Sequence, residues 1–311
     1  MSTTRSQQAP SAVVMIRPAC FHPNPQTAAD NAFQRSAAGL EAAGLATRAR
    51  AEVEAAAAAL EAAGVDVHLF DDDGSRDTPD SVFPNNWFST HAGGHVAIYP
   101  MYSNNRRRER RADVIELLKA QYRVQDVIDY SGLEADGVFL EGTGAMVLDH
   151  VERIAYTVRS NRADPVALER FCTHFNYEPM AFSALDAAGR PVYHTNVLMC
   201  IAGGFVLIAL DMIDNPLRRS QVEARLRESG RELVLLSAAQ IDEFAGNALE
   251  VMGSDGPLLA LSARAAAALS ADQRRVIERT SRLLPLAVPT IELAGGSVRC
   301  MLAGIHLAPR Q

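Results

Sequence analysis

Apolar residues fall along the chain in short runs that alternate with amphipathic stretches. Strands are expected over residues 12–17, 65–70, 95–100, 123–129, 137–149, 153–159, 232–236, 249–252, 257–262 and 298–302. The longest apolar run, 197–210, carries Gly203-Gly204 at its centre and reads as two buried strands joined by a tight turn. Helices are expected over 47–63, 107–122, 164–174, 216–229, 237–244 and 271–284. Asp164-Pro165 and Asn215-Pro216 each place a capping side chain before a proline at the first helical position. Gly64 ends the alanine-rich helix as a C′ glycine does. Strand, strand, helix and strand recur every 50–60 residues, which suits radial repetition as in a propeller. From pattern alone a doubly wound α/β sheet fits equally well.

Length and composition narrow the class. The chain has 311 residues, 48% hydrophobic and 22% charged. A chain of that length buries about three quarters of its extended surface, so it folds without a disulfide or metal staple. No Pro/Ser/Gly linker divides it, so residues 11–311 are expected as a single domain and residues 1–10 as a disordered N-terminal tail. The net charge of −7 is opposite in sign to that of a general nucleic-acid or anionic-membrane binder. Arginine supplies almost all the positive charge, Lys119 being the lone lysine, a bias of composition that says little about function. The apolar run 13–16 is too short for a signal-peptide core and the run 197–210 too short for a membrane span. Cys20, Cys172, Cys200 and Cys300 form no C-x-x-C pair, so a reducing cytoplasm is expected, with neither a zinc cluster nor a disulfide framework. His91 and His95 have helix-face spacing, but the Gly-Gly between them disfavours a helix, and no metal is expected. No glycine-rich phosphate loop follows a strand, so no nucleotide cofactor is expected either.

Four polar islands interrupt the apolar runs: Phe83-Pro84-Asn85-Asn86-Trp87, Leu140-Glu141-Gly142-Thr143-Gly144, His194-Thr195-Asn196, and Gly295-Gly296-Ser297-Val298-Arg299-Cys300. Taken singly, each is ordinary turn or packing chemistry: a Pro-Asn-Asn turn, an exposed glutamate, a structural histidine, a small buried thiol. Taken together, a cysteine, a histidine and a glutamate at strand-end turns make a nucleophile, a base and an orienting acid that need no metal.

In that order the islands resemble those of the pentein guanidine-modifying enzymes, which include arginine and agmatine deiminases, dimethylarginine hydrolases, amidinotransferases and citrulline-utilisation hydrolases. The resemblance spans about Val13 to Leu307 and implies an α/β fold built as a five-bladed propeller of ββαβ repeats. It implies Cys300 as nucleophile, His194 as acid/base and Glu141 as acidic partner. The segment 156–161 resembles the family's S-x-R-T stretch, which makes Arg159 the expected clamp for a substrate carboxylate. In the run Arg106-Arg107-Arg108-Glu109, Arg106 or Arg107 is expected at a loop position for the same carboxylate, against the plain alternative of a solvated helix start. Phe83, Asn85, Asn86 and Asn196 complete the expected substrate-binding set. The chain departs from deiminases where acids are replaced by Asn85-Asn86, Thr143-Gly144 and Asn196. An amide can donate to a carbonyl oxygen as a carboxylate cannot. The expectation is therefore a cofactor-free hydrolase of a ureido or guanidino amino acid, foremost citrulline to ornithine, ammonia and carbon dioxide. An arginine deiminase, a dimethylarginine-type hydrolase or an amidinotransferase stands next. A non-catalytic ribosome-binding pentein is disfavoured by the presence of all three catalytic residue types. The expected partner is a small molecule, with no nucleic acid or membrane, and a homodimer is compatible.

Overall fold

The structure, a computed structural model, describes residues 7–35 and 42–310, without the side chains of residues 42 and 43. Its framework is five separate three-stranded sheets rather than one wide doubly wound sheet. The second contains β3 (Phe88–His91), β4 (His95–Ile98) and β5 (Asp126–Asp129). The third contains β6 (Met146–Asp149), β7 (Ile154–Val158) and β8 (Glu178–Phe182). The fourth contains β9 (Met199–Ile201), β10 (Phe205–Ile208) and β11 (Glu232–Leu235). The fifth contains β12 (Leu249–Gly253), β13 (Gly256–Ser262) and β14 (Arg282–Leu286). The remaining sheet joins the ends of the chain: β15 (Ala303–Ile305) pairs antiparallel with β1 (Ala12–Arg17), which pairs parallel with β2 (Asp66–Asp71).

Every sheet repeats one plan. A first strand pairs antiparallel with the middle strand, and the middle strand pairs parallel with the third. A parallel pair needs a crossover, and each crossover holds helix: Ala42–Ala62, Ala112–Gln121, Pro165–Phe175, Pro216–Glu228, and the pair Ala263–Ala268 and Ala271–Ile277. The capping signals act as expected: Asp164 accepts from Val166 N–H and Asn215 from Arg218 N–H. The middle strands β4, β7, β10 and β13 lie mostly inside the core, and β10 is buried at every position. The outer strands β8 and β14 carry Pro179 and Pro285, which an edge position tolerates and a central one does not.

Two expected strands prove to be helical turns where chemistry sits. Residues 142–145, expected inside a strand over 137–149, form one turn of helix, and so do Val298–Met301. Part of the expected tail is also ordered. Residues 1–6 lie outside the described residues, but Gln8 Nε2 donates to Leu148 O at 3.0 Å and Ile201 O at 3.1 Å, and Gln8 Oε1 accepts from His150 N–H at 2.9 Å. Pro10 O accepts from Met252 N–H. These bonds tie the segment across three sheets. No helix among the described residues is long and apolar enough to cross a membrane.

Candidate active site

The functional islands occupy equivalent places in the repeat. A single turn of chain precedes the first strand of four sheets: Pro84–Asn86 before β3, Gly142–Ala145 before β6, Thr195–Val197 before β9 and Val298–Met301 before β15. The turn around Asn247 precedes β12 in the same way. These turns pack against one another, and their polar residues meet in a buried cluster. Glycine permits the closeness. A Cβ on Gly144 would lie 2.1 Å from the side-chain amide of Asn86 and 2.8 Å from His194 Nδ1, so only glycine lets these two side chains approach the Glu141 turn.

Cys300, His194, Phe83 and Asn86 line one narrow cavity together with Asp80, Arg106 and Arg162. Cys300 Sγ accepts two amide hydrogen bonds, from Asn196 Nδ2 at 3.2 Å and from Asn247 Nδ2 at 3.3 Å. Asn247 is itself fixed, donating to Asn196 O at 3.0 Å and accepting from Arg299 N–H at 3.0 Å. Two N–H donors on one sulfur suit the thiolate, the better acceptor and the form that attacks carbon. His194 Nε2 meets Glu141 Oε2 at 2.9 Å with both side chains buried. Burial holds the imidazole below its ordinary range, against the pull of Glu141, which favours the neutral form that can accept a proton.

Around this pair lies a buried charge network. Burial alone would raise the Glu141 carboxyl. The Arg162 charge at 3.5 Å, the His194 hydrogen bond and the Arg106 charge at 3.7 Å outweigh it and hold the group well below the usual carboxylate range. Arg106 donates to both oxygens of Glu109 at 2.9 Å, and its Nη atoms donate to Asn86 Oδ1 at 2.9 and 3.1 Å. Arg162 is held by Asp30 through its Nε at 3.0 Å and its Nη2. Asp80 accepts from Asn24 Nδ2 at 2.8 Å and lies 3.8 Å from Arg106 Nε. Burial raises the Asp80 carboxyl, and burial with Asp80 and Glu141 nearby pushes Glu109 up to about 7 despite its two bonds from Arg106. Four carboxylates, of Asp30, Asp80, Glu109 and Glu141, thus face two guanidiniums, of Arg106 and Arg162.

Several expected positions are placed differently. Arg159 is exposed and lines an outward depression with Phe182, Asn215 and Arg218. The arginine that enters the cluster is Arg162, because the bridges between Ser160, Leu140 and Ala163 fold the chain back over the Glu141 turn after β7. Arg107 turns away, with its Nε on Met101 O at 3.0 Å and its guanidinium over the Phe139 ring. Arg106 does enter, but its fork is occupied by Glu109, which leaves no bidentate face for a substrate carboxylate. Asn86 is spent on Arg106 and on Asn85 Oδ1, while buried Asn85 Nδ2 and Asn196 Oδ1 have no partner. Asp80, Glu109, Arg162 and Asn247 were not expected. Asn247 alone had a readable signal, as the repeat's fifth pre-strand turn. Among the described residues no group of three His, Cys, Asp or Glu could hold a metal; His91 and His95 face each other across β3 and β4.

Known structures share this architecture. The N-terminal domain of ArgZ, an arginine dihydrolase from the ornithine–ammonia cycle in cyanobacteria, superposes with a TM-score of 0.73 at 15% identity, covering 94% of this chain and 97% of that domain. Unliganded AgrE gives 0.73 at 16% identity, over 96% of this chain and 40% of the longer one. A dimethylarginine dimethylaminohydrolase in adduct with 4-chloro-2-hydroxymethylpyridine gives 0.63 at 14% identity, over 94% and 98% of the two chains. No curated protein matches the sequence. The fold and the matches define a pentein of the guanidine-modifying superfamily. Residues 17–307 match the sequence model of N,N dimethylarginine dimethylhydrolase, eukaryotic, and the chain belongs to that family.

Proposed function

We propose that the protein is a cysteine hydrolase acting on the guanidino group of an arginine-type amino acid. The observation that carries this reading is the excess of buried carboxylates over guanidiniums around the Cys300 cavity, with Asp80 on its wall. A substrate guanidinium beside Asp80 supplies the missing positive charge, whereas a neutral ureido group leaves a raised, underpaired carboxyl buried. The related proteins, named for arginine and dimethylarginine, support the same class.

In this reading Cys300 Sγ attacks the central guanidino carbon. His194 takes the thiol proton and passes it to the departing nitrogen as the tetrahedral centre collapses to a covalent S-amidino intermediate. His194 then takes a proton from water as that water attacks the same carbon, releasing the sulfur. Glu141 orients the imidazole through Nε2 and stabilises its transient positive charge. Within this reading the five sheets are blades of an α/β propeller, with the site where their leading turns converge.

Citrulline is the second reading, favoured by the unpaired Asn85 amide, a donor suited to a ureido oxygen. Release of ammonia or dimethylamine, with product identity, measured in parallel with arginine, dimethylarginine and citrulline, separates the two. Turnover of arginine or dimethylarginine with citrulline inert supports the guanidino reading. Ornithine from citrulline, with both guanidino compounds inert, would replace it.

A further inference from the structure

The helical turn that carries Cys300 also carries, one residue earlier, a guanidinium that meets no acid. Arg299 Nη1 donates to Leu302 O at 3.0 Å, and that is the one protein acceptor its side chain has among the described residues. Its five N–H groups are thus mostly unspent. Arg299 lines a second cavity that shares no lining residue with the Cys300 pocket. The wall includes His150, His306, Thr90, Cys200 and Gln8, and no Asp or Glu. His150 and His306 stack with ring centroids 3.8 Å apart, and burial beside Arg299 holds His306 down at about 4, so neither imidazole adds a compensating or competing charge near neutrality. Gln8 spans the cavity wall through its bonds to Leu148, Ile201 and His150. The free space is about 40 Å³, room for a few waters or one small ion.

A half-buried cation without a counter-charge is unfavourable, and a cavity that Arg299 lines with no carboxylate offers the place for one. We propose that this second cavity binds a small planar oxyanion, of the size of formate, bicarbonate or nitrate, on the Arg299 guanidinium. The planar fork of N–H groups matches two coplanar oxygens, which a spherical halide does not offer. The site lies directly behind the nucleophile, joined to it through Asn247, which accepts from Arg299 N–H and donates to Cys300 Sγ.

Thermal unfolding of the whole chain, titrated with sodium formate or nitrate at constant ionic strength, tests the assignment. A ligand that binds only the folded state raises Tm saturably. The expected result is a rise of several degrees in the native protein, kept in Asp80→Asn and lost in Arg299→Gln. No rise in the native protein, or an equal rise in Arg299→Gln, overturns the proposal. Should Arg299→Gln fail to fold, crystals of the native chain grown in nitrate decide: planar density on the Arg299 guanidinium supports the site, and water alone there overturns it.

Discussion

The two sides of one helical turn, Val298–Met301, handle charge in opposite ways. On the Cys300 side, guanidiniums are outnumbered by carboxylates and every charged group has a named partner. On the Arg299 side a guanidinium stands among imidazoles and hydroxyls with no acid. Charge withdrawn from water is costly on either side, so the completions proposed for the two sides differ in sign: a cation in front, an anion behind. The lesson is that a site's ligand is to be read from the sum of its charges as well as from its motifs. The neutral asparagines at 85, 86 and 196 suggest a neutral substrate when read as a string. In space Asn86 serves Arg106 and Asn196 serves the sulfur, while the charge comes from Asp80, Glu109 and Asp30.

The largest effect that would break this account is at the sulfur. Cys300→Ala should lower turnover by about 10⁴-fold or more while leaving the fold and substrate binding intact; steady-state kinetics with circular dichroism check both. Residual activity within tenfold of native would refute the nucleophile.

Asp80→Asn sharpens the comparison by removing one front-side charge. The guanidino substrate should lose about 10²–10⁴-fold in kcat/KM, on the order of 3–5 kcal/mol for a broken buried pair. Because burial raises the Asp80 carboxyl, native kcat/KM should fall toward acid from a pH above the ordinary aspartate range, and that limb should vanish in the variant.

Glu141 bears on stability. Its folded carboxyl is held below the unfolded value, so its contribution is complete above about pH 4.5 and is lost as pH falls through the depressed value. Glu141→Gln should therefore be less stable than native at pH 7 by about 3–5 kcal/mol, with the gap closing in strong acid; denaturant melts across pH measure it. A smaller loss, about 10–100-fold in kcat, is expected for Asn247→Ala, which removes one of the two donors to Sγ. Smallest of all, Arg159→Ala should stay within twofold of native in kcat/KM, since the side chain points outward.

What the sequence disclosed follows the distance over which each feature is determined. Strand β1 and the caps of the helices starting at Pro165 and Pro216 rest on neighbouring residues, and they occur where the pattern places them. The tight turn at Gly203-Gly204 between β9 and β10 is equally local. Edge strands β8 and β14 escape the pattern because proline and arginine occupy positions an outer strand can spare. The helical form of residues 142–145 depends on Gly142 at φ +45, where a Cβ would strike Asn85 O at 2.4 Å, a contact between separate sheets. The charge network is less legible still. Asp30 meets Arg162 and Asp80 meets Arg106 across long stretches of chain, and no local pattern marks such acids as site residues.

The pairing of β1 with β15 has a consequence for synthesis. Ala12 aligns with Ile305, so β1 is made long before the strand that pairs antiparallel with it. Cys300 sits three residues before β15, at the point where that late strand locks onto the early one. Until Cys300 has been made, the nascent chain holds His194 and Glu141 without the thiol beside them. The Cys300 cavity and the β1–β15 pairing are therefore completed together, and a ribosome stalled before Cys300 leaves β1 paired with β2 alone, one edge open.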